Sequence, residues 1–216
     1  MSQVSRASYL FIGDSITDCE RREDPESLGY GYVRVLAGSL ASVDVVNRGV
    51  AGDRVQDVLN RWDPDCISIG ADLVSVLVGI NDTWRRYDSG IATTARKFEH
   101  DYRSMLDALT RARPRTEIVL IEPFLLPVSP DQERWLEDLE PKIAAVHALA
   151  EEFSATIVPS HSPLGERAAL IGPEAIVRDG VHPTPLGHRL LADEWIKAVG
   201  YDRVRRASLL ALGRDA

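Results

Sequence analysis

Five apolar runs of strand length constrain this chain more than anything else in it: YLFIG at 9–13, VDVVNRG at 43–49, ADLVSVLVG at 71–79, TEIVLIEPF at 116–124 and ATIVPS at 155–160. They are rich in Val, Ile and Leu and lack the clean alternation of a sheet with one wet face. That is the pattern of parallel strands covered on both sides. Parallel neighbours need long crossovers, and these are normally helices. The stretches 30–42, 54–62, 93–113 and 131–153 read as those helices. In the last, Trp135, Leu139, Ile143, Val146, Ala150 and Phe153 recur at steps of three or four and share a face. Pro141 is expected to kink or split it. A final helix is expected over 185–199, carrying Leu186, Leu190, Leu191, Ile196 and Val199. The alternation predicts an α/β chain: a three-layer α/β/α sandwich around a five-stranded parallel sheet, with right-handed crossovers.

At 216 residues the chain suits one core, and nothing in it reads as a linker or repeat, so 1–216 is taken as a single domain. Residues 201–216 are read as a C-terminal extension or oligomer contact, because Leu209, Leu210 and Leu212 would need cover. A formal charge of -8 argues against nucleic acid or an anionic membrane as partner. The N-terminus lacks the layout of a secretion signal, and no segment approaches the roughly eighteen apolar residues of a membrane span. Cys19 and Cys66 have no metal-ligand spacing. The expectation is a cytoplasmic protein, a homo-oligomer, acting on a small molecule or an oligosaccharide.

Ligands in such sheets bind beyond the carboxyl ends of the strands, so the residues just after each run are the ones to collect. Asp14 and Ser15 come after the first. Asn47, Arg48, Gly49, Gly52, Asp53 and Arg54 close or succeed the second, and Gly79, Asn81 and Asp82 the third. The loop VRDGVHPTPLGH beyond the fifth brings Asp179 and His182. Taken singly, Ser15 reads as a turn residue, and Gly52 and Asn81 as residues tolerant of left-handed backbone. Together they are the parts for acyl transfer: a hydroxyl, an imidazole to take its proton, a carboxylate to orient the imidazole, and donors for the oxyanion. The backbone amides of Ser15 and Gly52 and the side-chain amide of Asn81 are the candidate donors.

GDSIT at 13–17, NRGVAGDR at 47–54, VGINDTWRRYD at 78–88 and DGVHP at 179–183 resemble, in order, the four motif blocks of the SGNH (GDSL-type) hydrolases. Within that superfamily, LFIGDSITDC, GINDTWRRYD and the EPF after the fourth strand look most like the intracellular acetylxylan-esterase branch. The resemblance implies the flavodoxin-like SGNH fold with strand order 2-1-3-4-5, acetyl-ester hydrolysis on xylo-oligosaccharides, and no metal or organic cofactor. It implies Ser15 as nucleophile and first oxyanion donor, Gly52 as second, Asn81 as third, His182 as base and Asp179 as its orienting acid.

Asp14 is expected to shape the loop as a hydrogen-bond acceptor and, with Asp53, Arg54, Trp84 and Tyr87, to border the substrate. Asp53 and Arg54 also read as a local ion pair at a helix start. His100, His147, His161 and His188 compete for the base but each reads as structural, and His161, which also ends a strand, is the control to test. Other activities stay open: a short-chain aryl esterase, thioesterase or lysophospholipase, a Mg-dependent phosphoryl-transfer enzyme using Asp14, Asp18, Asp82 and Asp179, or a non-catalytic ligand-binding module. No GxSxG elbow is present for a lipase of the α/β-hydrolase type.

Overall fold

The computed structural model describes residues 6–200. Five parallel strands, β1 (Ala7–Gly13), β2 (Val43–Gly49), β3 (Leu73–Leu77), β4 (Glu117–Ile121) and β5 (Thr156–Val158), form one sheet in the order β2-β1-β3-β4-β5. β1 and β3 lie inside it, which is why their runs are apolar on both sides. Along β1, Tyr9 and Phe11 face one layer while Leu10 and Ile12 face the other.

The first layer is built from α2 (Tyr32–Ser39), α8 (His161–Ile171) and α9 (Pro185–Val199). The second is built from α3 (Val55–Asn60), α5 (Ala95–Ala112) and most of α7 (Leu136–Glu152). Three short elements frame the carboxyl rim: α1 (Ser15–Asp18), α4 (Ile80–Asp88) and α6 (Pro130–Glu133). None of α1, α4 and α8 is signalled by apolar periodicity, because each is short or largely polar on its outer face. Among the described residues no helix is long and apolar enough to cross a membrane.

Two expectations change. The expected helix over 131–153 does break, but at Arg134–Trp135, between α6 and α7, and Pro141 sits inside α7. Pro141 and Glu137, whose carbonyl loses its i+4 donor to the proline, are both exposed, so that carbonyl is left to water. The buried stripe of α7 also includes Lys142, which reaches Asp138, and Leu149. The 201–216 segment, with Leu209, Leu210 and Leu212, lies outside the described residues.

Ser75 looks out of place in the middle of β3, where every neighbour is apolar. Its hydroxyl accepts a hydrogen bond from the indole Nε1 of Trp195 on α9 (3.1 Å). Trp195 is fully buried against Phe11 and Tyr9, so it needs an acceptor there, and a small hydroxyl supplies one. The pair fixes α9 against the sheet centre and, through it, the loop that precedes α9.

The exit of β1 is equally tight. A Cβ on Gly13 would lie 1.9 Å from the carbonyl oxygen of Leu77 at the end of β3. No rotamer relieves a contact with neighbouring backbone, so the two strand ends must separate. Gly13→Ala is therefore expected to cost about 3 kcal/mol of stability. This would appear as a lower urea midpoint with unchanged slope, and a variant as stable as the parent would refute the close approach.

Candidate active site

β1 ends at Gly13 and the chain turns at once into α1. Asp14 makes the turn: its backbone is extended, and its Oδ1 accepts the amide of Ile16 (3.0 Å), capping the helix that Ser15 begins. Cys19 closes that helix in the left-handed conformation, its N–H bonded to the Ser15 carbonyl. Asn47 clamps the turn from β2, donating from Nδ2 to the carbonyls of Thr17 and Leu28 (both 2.7 Å). The Ser15 side chain is thus presented at the rim by a backbone held from two strands.

His182 comes from the loop between a 3-10 turn (Pro173–Ala175) and α9. Asp179 Oδ1 accepts the amides of Val181 (3.0 Å) and His182 (2.8 Å), and its Oδ2 lies 2.7 Å from His182 Nδ1. Gln132 of α6 donates to the Asp179 carbonyl (2.7 Å), so the turn is also pinned from outside. Burial opposes the charge on Asp179. The donors from His182 and Val181 outweigh it and hold the carboxyl below its ordinary range. An anion there keeps the imidazole proton on Nδ1 and leaves Nε2 as acceptor. Nε2 lies 2.9 Å from the Ser15 hydroxyl oxygen.

Gly52 and Asn81 meet this pair from the other loops. Gly52 has φ +86°, a conformation side-chain-bearing residues rarely adopt, and a Cβ there would touch nothing within 4 Å. The space before it is open. Its amide, like that of Ser15, has no acceptor among the described residues. Asn81 is buried at the start of α4, and its Nδ2 donates to the Asp53 carbonyl (3.0 Å). A primary amide has two such protons. One orients the group and the second is left to give.

The bordering residues divide. Trp84 lies beside the imidazole, ring centroids 5.7 Å apart, and also packs on Trp135. Tyr87 is one ring further out, stacked on Trp135 and tied to the Arg134 carbonyl. Asp53 and Arg54 do not pair with each other. Asp53 binds Arg61 (2.7 Å), while Arg54 binds Asp57 (3.0 Å), one helical turn along α3, where the two side chains share a face. Asp14 is wholly buried and does not line the cleft, which corrects its placement at the substrate border.

Sequence reasoning missed Arg61, which binds Asp53, Asp65 and the carbonyls of Gly13 and Arg48, joining the β1 exit to the Gly52 turn. No local pattern marks it, because its partners lie on four segments. It also missed the far wall of the cleft, about 390 Å³ in volume, where Cys19, Glu20, Arg22, Arg178 and His188 face the Ser15–His182 pair. Of the five histidines, only His182 touches Ser15. His161 meets Glu122 and the Leu125 amide. Burial pushes His188 down to about 4, so it is neutral between the Tyr32 amide and the Cys19 thiol. Among the described residues no three His, Cys, Asp or Glu side chains are grouped to hold a metal ion.

Comparison with known proteins gives a concordant picture. The family model described as GDSL-like lipase/acylhydrolase matches residues 11–190. An acetylxylan esterase from Geobacillus stearothermophilus is 34% identical over 214 residues, covering 93% of this chain and 97% of its own. Its crystal structure superposes with a TM-score of 0.83 at 31% identity, covering 93% of this chain and 97% of that one. A structure from Parabacteroides merdae, described as a GDSL-like lipase, gives 0.84 at 32% identity, covering 90% and 95%. The catalytic variants solved for the Geobacillus esterase change a serine, an aspartate, and a histidine three residues beyond the aspartate.

Burial pushes the Asp14 carboxyl up to about 7 from 3.8, with the neighbouring charges of Asp53 and Asp82 adding to it against the pull of the Ile16 amide. Between those values the folded chain holds a proton that the unfolded chain has released, so stability falls as pH rises and levels off above about 7. Asp14→Asn removes the ionisation. Its stability relative to the parent is expected to increase between pH 4.5 and 8 by on the order of 3 kcal/mol. Chemical denaturation at the two pH values checks this, and a constant difference would contradict it.

Proposed function

The chain belongs to the GDSL-like lipase/acylhydrolase family and is a carboxylic ester hydrolase, and from that premise we propose that it removes acetyl groups from acetylated xylo-oligosaccharides through Ser15, His182 and Asp179. The observation that carries the reading is the unbroken line from the Asp179 carboxylate through the imidazole to the Ser15 hydroxyl, at 2.7 and 2.9 Å. Likeness to the Geobacillus acetylxylan esterase over nearly all of both chains supports the choice of acyl group and alcohol.

The reaction then runs in two halves. His182 Nε2 takes the Ser15 proton as the oxygen attacks the acetyl carbonyl. The oxyanion forms in front of the amides of Ser15 and Gly52 and the free Asn81 proton, donors already in place before charge develops. Imidazolium, steadied by Asp179, returns the proton to the departing sugar oxygen. Water, deprotonated by the same imidazole, attacks the acetyl-enzyme; acetate leaves as the imidazolium returns the proton to the Ser15 oxygen.

A polar alcohol suits the walls. Glu20, Glu23, Arg22 and Arg178 edge the cleft with both signs of charge, and Trp84 offers an aromatic face beside the imidazole. Hydroxyls of a sugar find donors and acceptors there. On this reading the enzyme works in the cytoplasm on oligosaccharides short enough to have entered the cell.

Ser15→Ala and His182→Ala are each expected to lower kcat by about a million-fold with the fold intact. Asn81→Ala is expected to lose about a hundred- to a thousand-fold. Acetate release from acetylated xylo-oligosaccharides, set against aryl esters of increasing acyl length, tests the substrate. A preference for butyryl or longer esters would overturn it, as would activity in either Ala variant.

A further inference from the structure

Asp14 is the one fully buried carboxyl directly against the nucleophile, and the proposed reaction makes no use of it. It is 0% exposed. Oδ1 accepts the Ile16 amide, while Oδ2 has no hydrogen-bond partner among the described residues. A carboxylate left with an unsolvated oxygen in a dry site is costly, whereas the neutral acid is far cheaper to bury.

The surroundings are acidic. Asp53, in the turn before α3, and Asp82, on α4, both act on Asp14 through their charges. Asp82 is itself buried, accepts the Val55 amide at Oδ2 (2.9 Å) and leaves Oδ1 without a partner. From α2 comes Tyr32, a neutral phenol bonded to the Thr17 hydroxyl. The facing cation is Arg61. It is committed to Asp53 and Asp65 and bonds the Gly13 carbonyl, just before Asp14.

We propose that Asp14 is a positioning residue that serves in its un-ionised form, holding α1 as a neutral cap and keeping negative charge away from the oxyanion site that Ser15, Gly52 and Asn81 form. The proposal rests on the esterase reading above. A protonated carboxyl still accepts the Ile16 amide through its carbonyl oxygen, so the geometry of the turn survives either charge state. The field does not. An anion one residue from the Ser15 amide, in a medium of low polarity, opposes the charge that develops on the substrate oxygen, and that penalty falls on the transition state rather than on binding. Ionisation of Asp14 therefore lowers kcat and leaves KM almost unmoved.

The test is the pH profile of acetate release from an aryl acetate by the whole chain. In the parent, kcat is expected to fall towards alkaline pH, by about ten-fold per unit once the Asp14 acid is gone. Asp14→Asn keeps the neutral group's shape and is expected to abolish the alkaline fall, so that its kcat at pH 9 relative to pH 6 exceeds the parent's by at least ten-fold. An Asn variant with the parent's alkaline limb overturns the proposal, as does one whose kcat drops by the same factor at both pH values. An infrared difference between parent and variant at pH 6 gives an independent readout. A protonated-carboxyl band supports the proposal, and its absence sinks it. If the Asn variant does not fold, Asp14→Ser, which keeps a short capping oxygen, takes its place in the infrared difference, with the same two outcomes. Failure of the esterase reading would be distinct: Ser15→Ala would stay active while the infrared result stood.

Discussion

The proposed chemistry depends on one hydrogen bond between groups 167 positions apart in the chain, Ser15 Oγ and His182 Nε2 at 2.9 Å. A displacement of about half an ångström in either partner would spoil it, and neither partner sits inside a long helix or strand. Both are held by their own backbone turns, in each case through an aspartate. Asp14 caps the segment that carries the serine, and Asp179 ties two successive amides so that the histidine has one orientation. The same side-chain type does both jobs because a short acceptor reaching forward two or three residues is what a turn requires. The two environments separate them. Asp179 is surrounded by donors and stays charged, while Asp14 has one donor and two acidic neighbours.

Much of this is legible in the sequence, and the boundary is instructive. Apolar runs locate the strands, the absence of alternation makes them parallel, and the residues at each strand's carboxyl end assemble the site. These signals are local, or depend only on topology. Arg61 is not legible, although it fastens four segments together, because an arginine's partners are fixed by where it reaches and not by its neighbours in sequence. The Asp53 and Arg54 pairing fails for a related reason. Adjacent opposite charges look like a pair on paper, but a helix start turns successive side chains apart and offers Arg54 a better partner at i+3. Pro141 misleads because exposure, which decides what a lost hydrogen bond costs, is a tertiary property.

The sheet and the site also share their strain-bearing points. Gly13 allows β1 and β3 to close at their carboxyl ends, and the next residue is the cap of the nucleophile's helix. Anything that opens the strand ends tilts Asp14, and with it the Ser15 amide. Arg61 crosses the same place, bonded both to the Gly13 carbonyl and to Asp53, whose own carbonyl holds the Asn81 amide. The three expected oxyanion donors are therefore linked by a short series of hydrogen bonds centred on one guanidinium. The array behaves as a unit, set by the packing of β1, α3 and α4.

That linkage bears on the acidic cluster beneath the site. An oxyanion site would be expected to collect positive charge, yet Asp14, Asp53 and Asp82 converge here, with Arg61 paired to Asp53 and Lys142 and Arg54 acting on Asp82. The arrangement makes sense if donors rather than ions do the work. Oriented N–H groups stabilise charge at short range without a counter-ion that would draw in water or bind a carboxylate product. They need acceptors behind them to hold their directions, and carbonyls and carboxyls serve. Arg61 neutralises Asp53, burial keeps a proton on Asp14 up to about pH 7, and Asp82 is likewise raised, to about 6. The result is a rigid set of dipoles with the nearest carboxyl, Asp14, un-ionised below about pH 7, well matched to an ester that is neutral at the start and carries its charge only in passing.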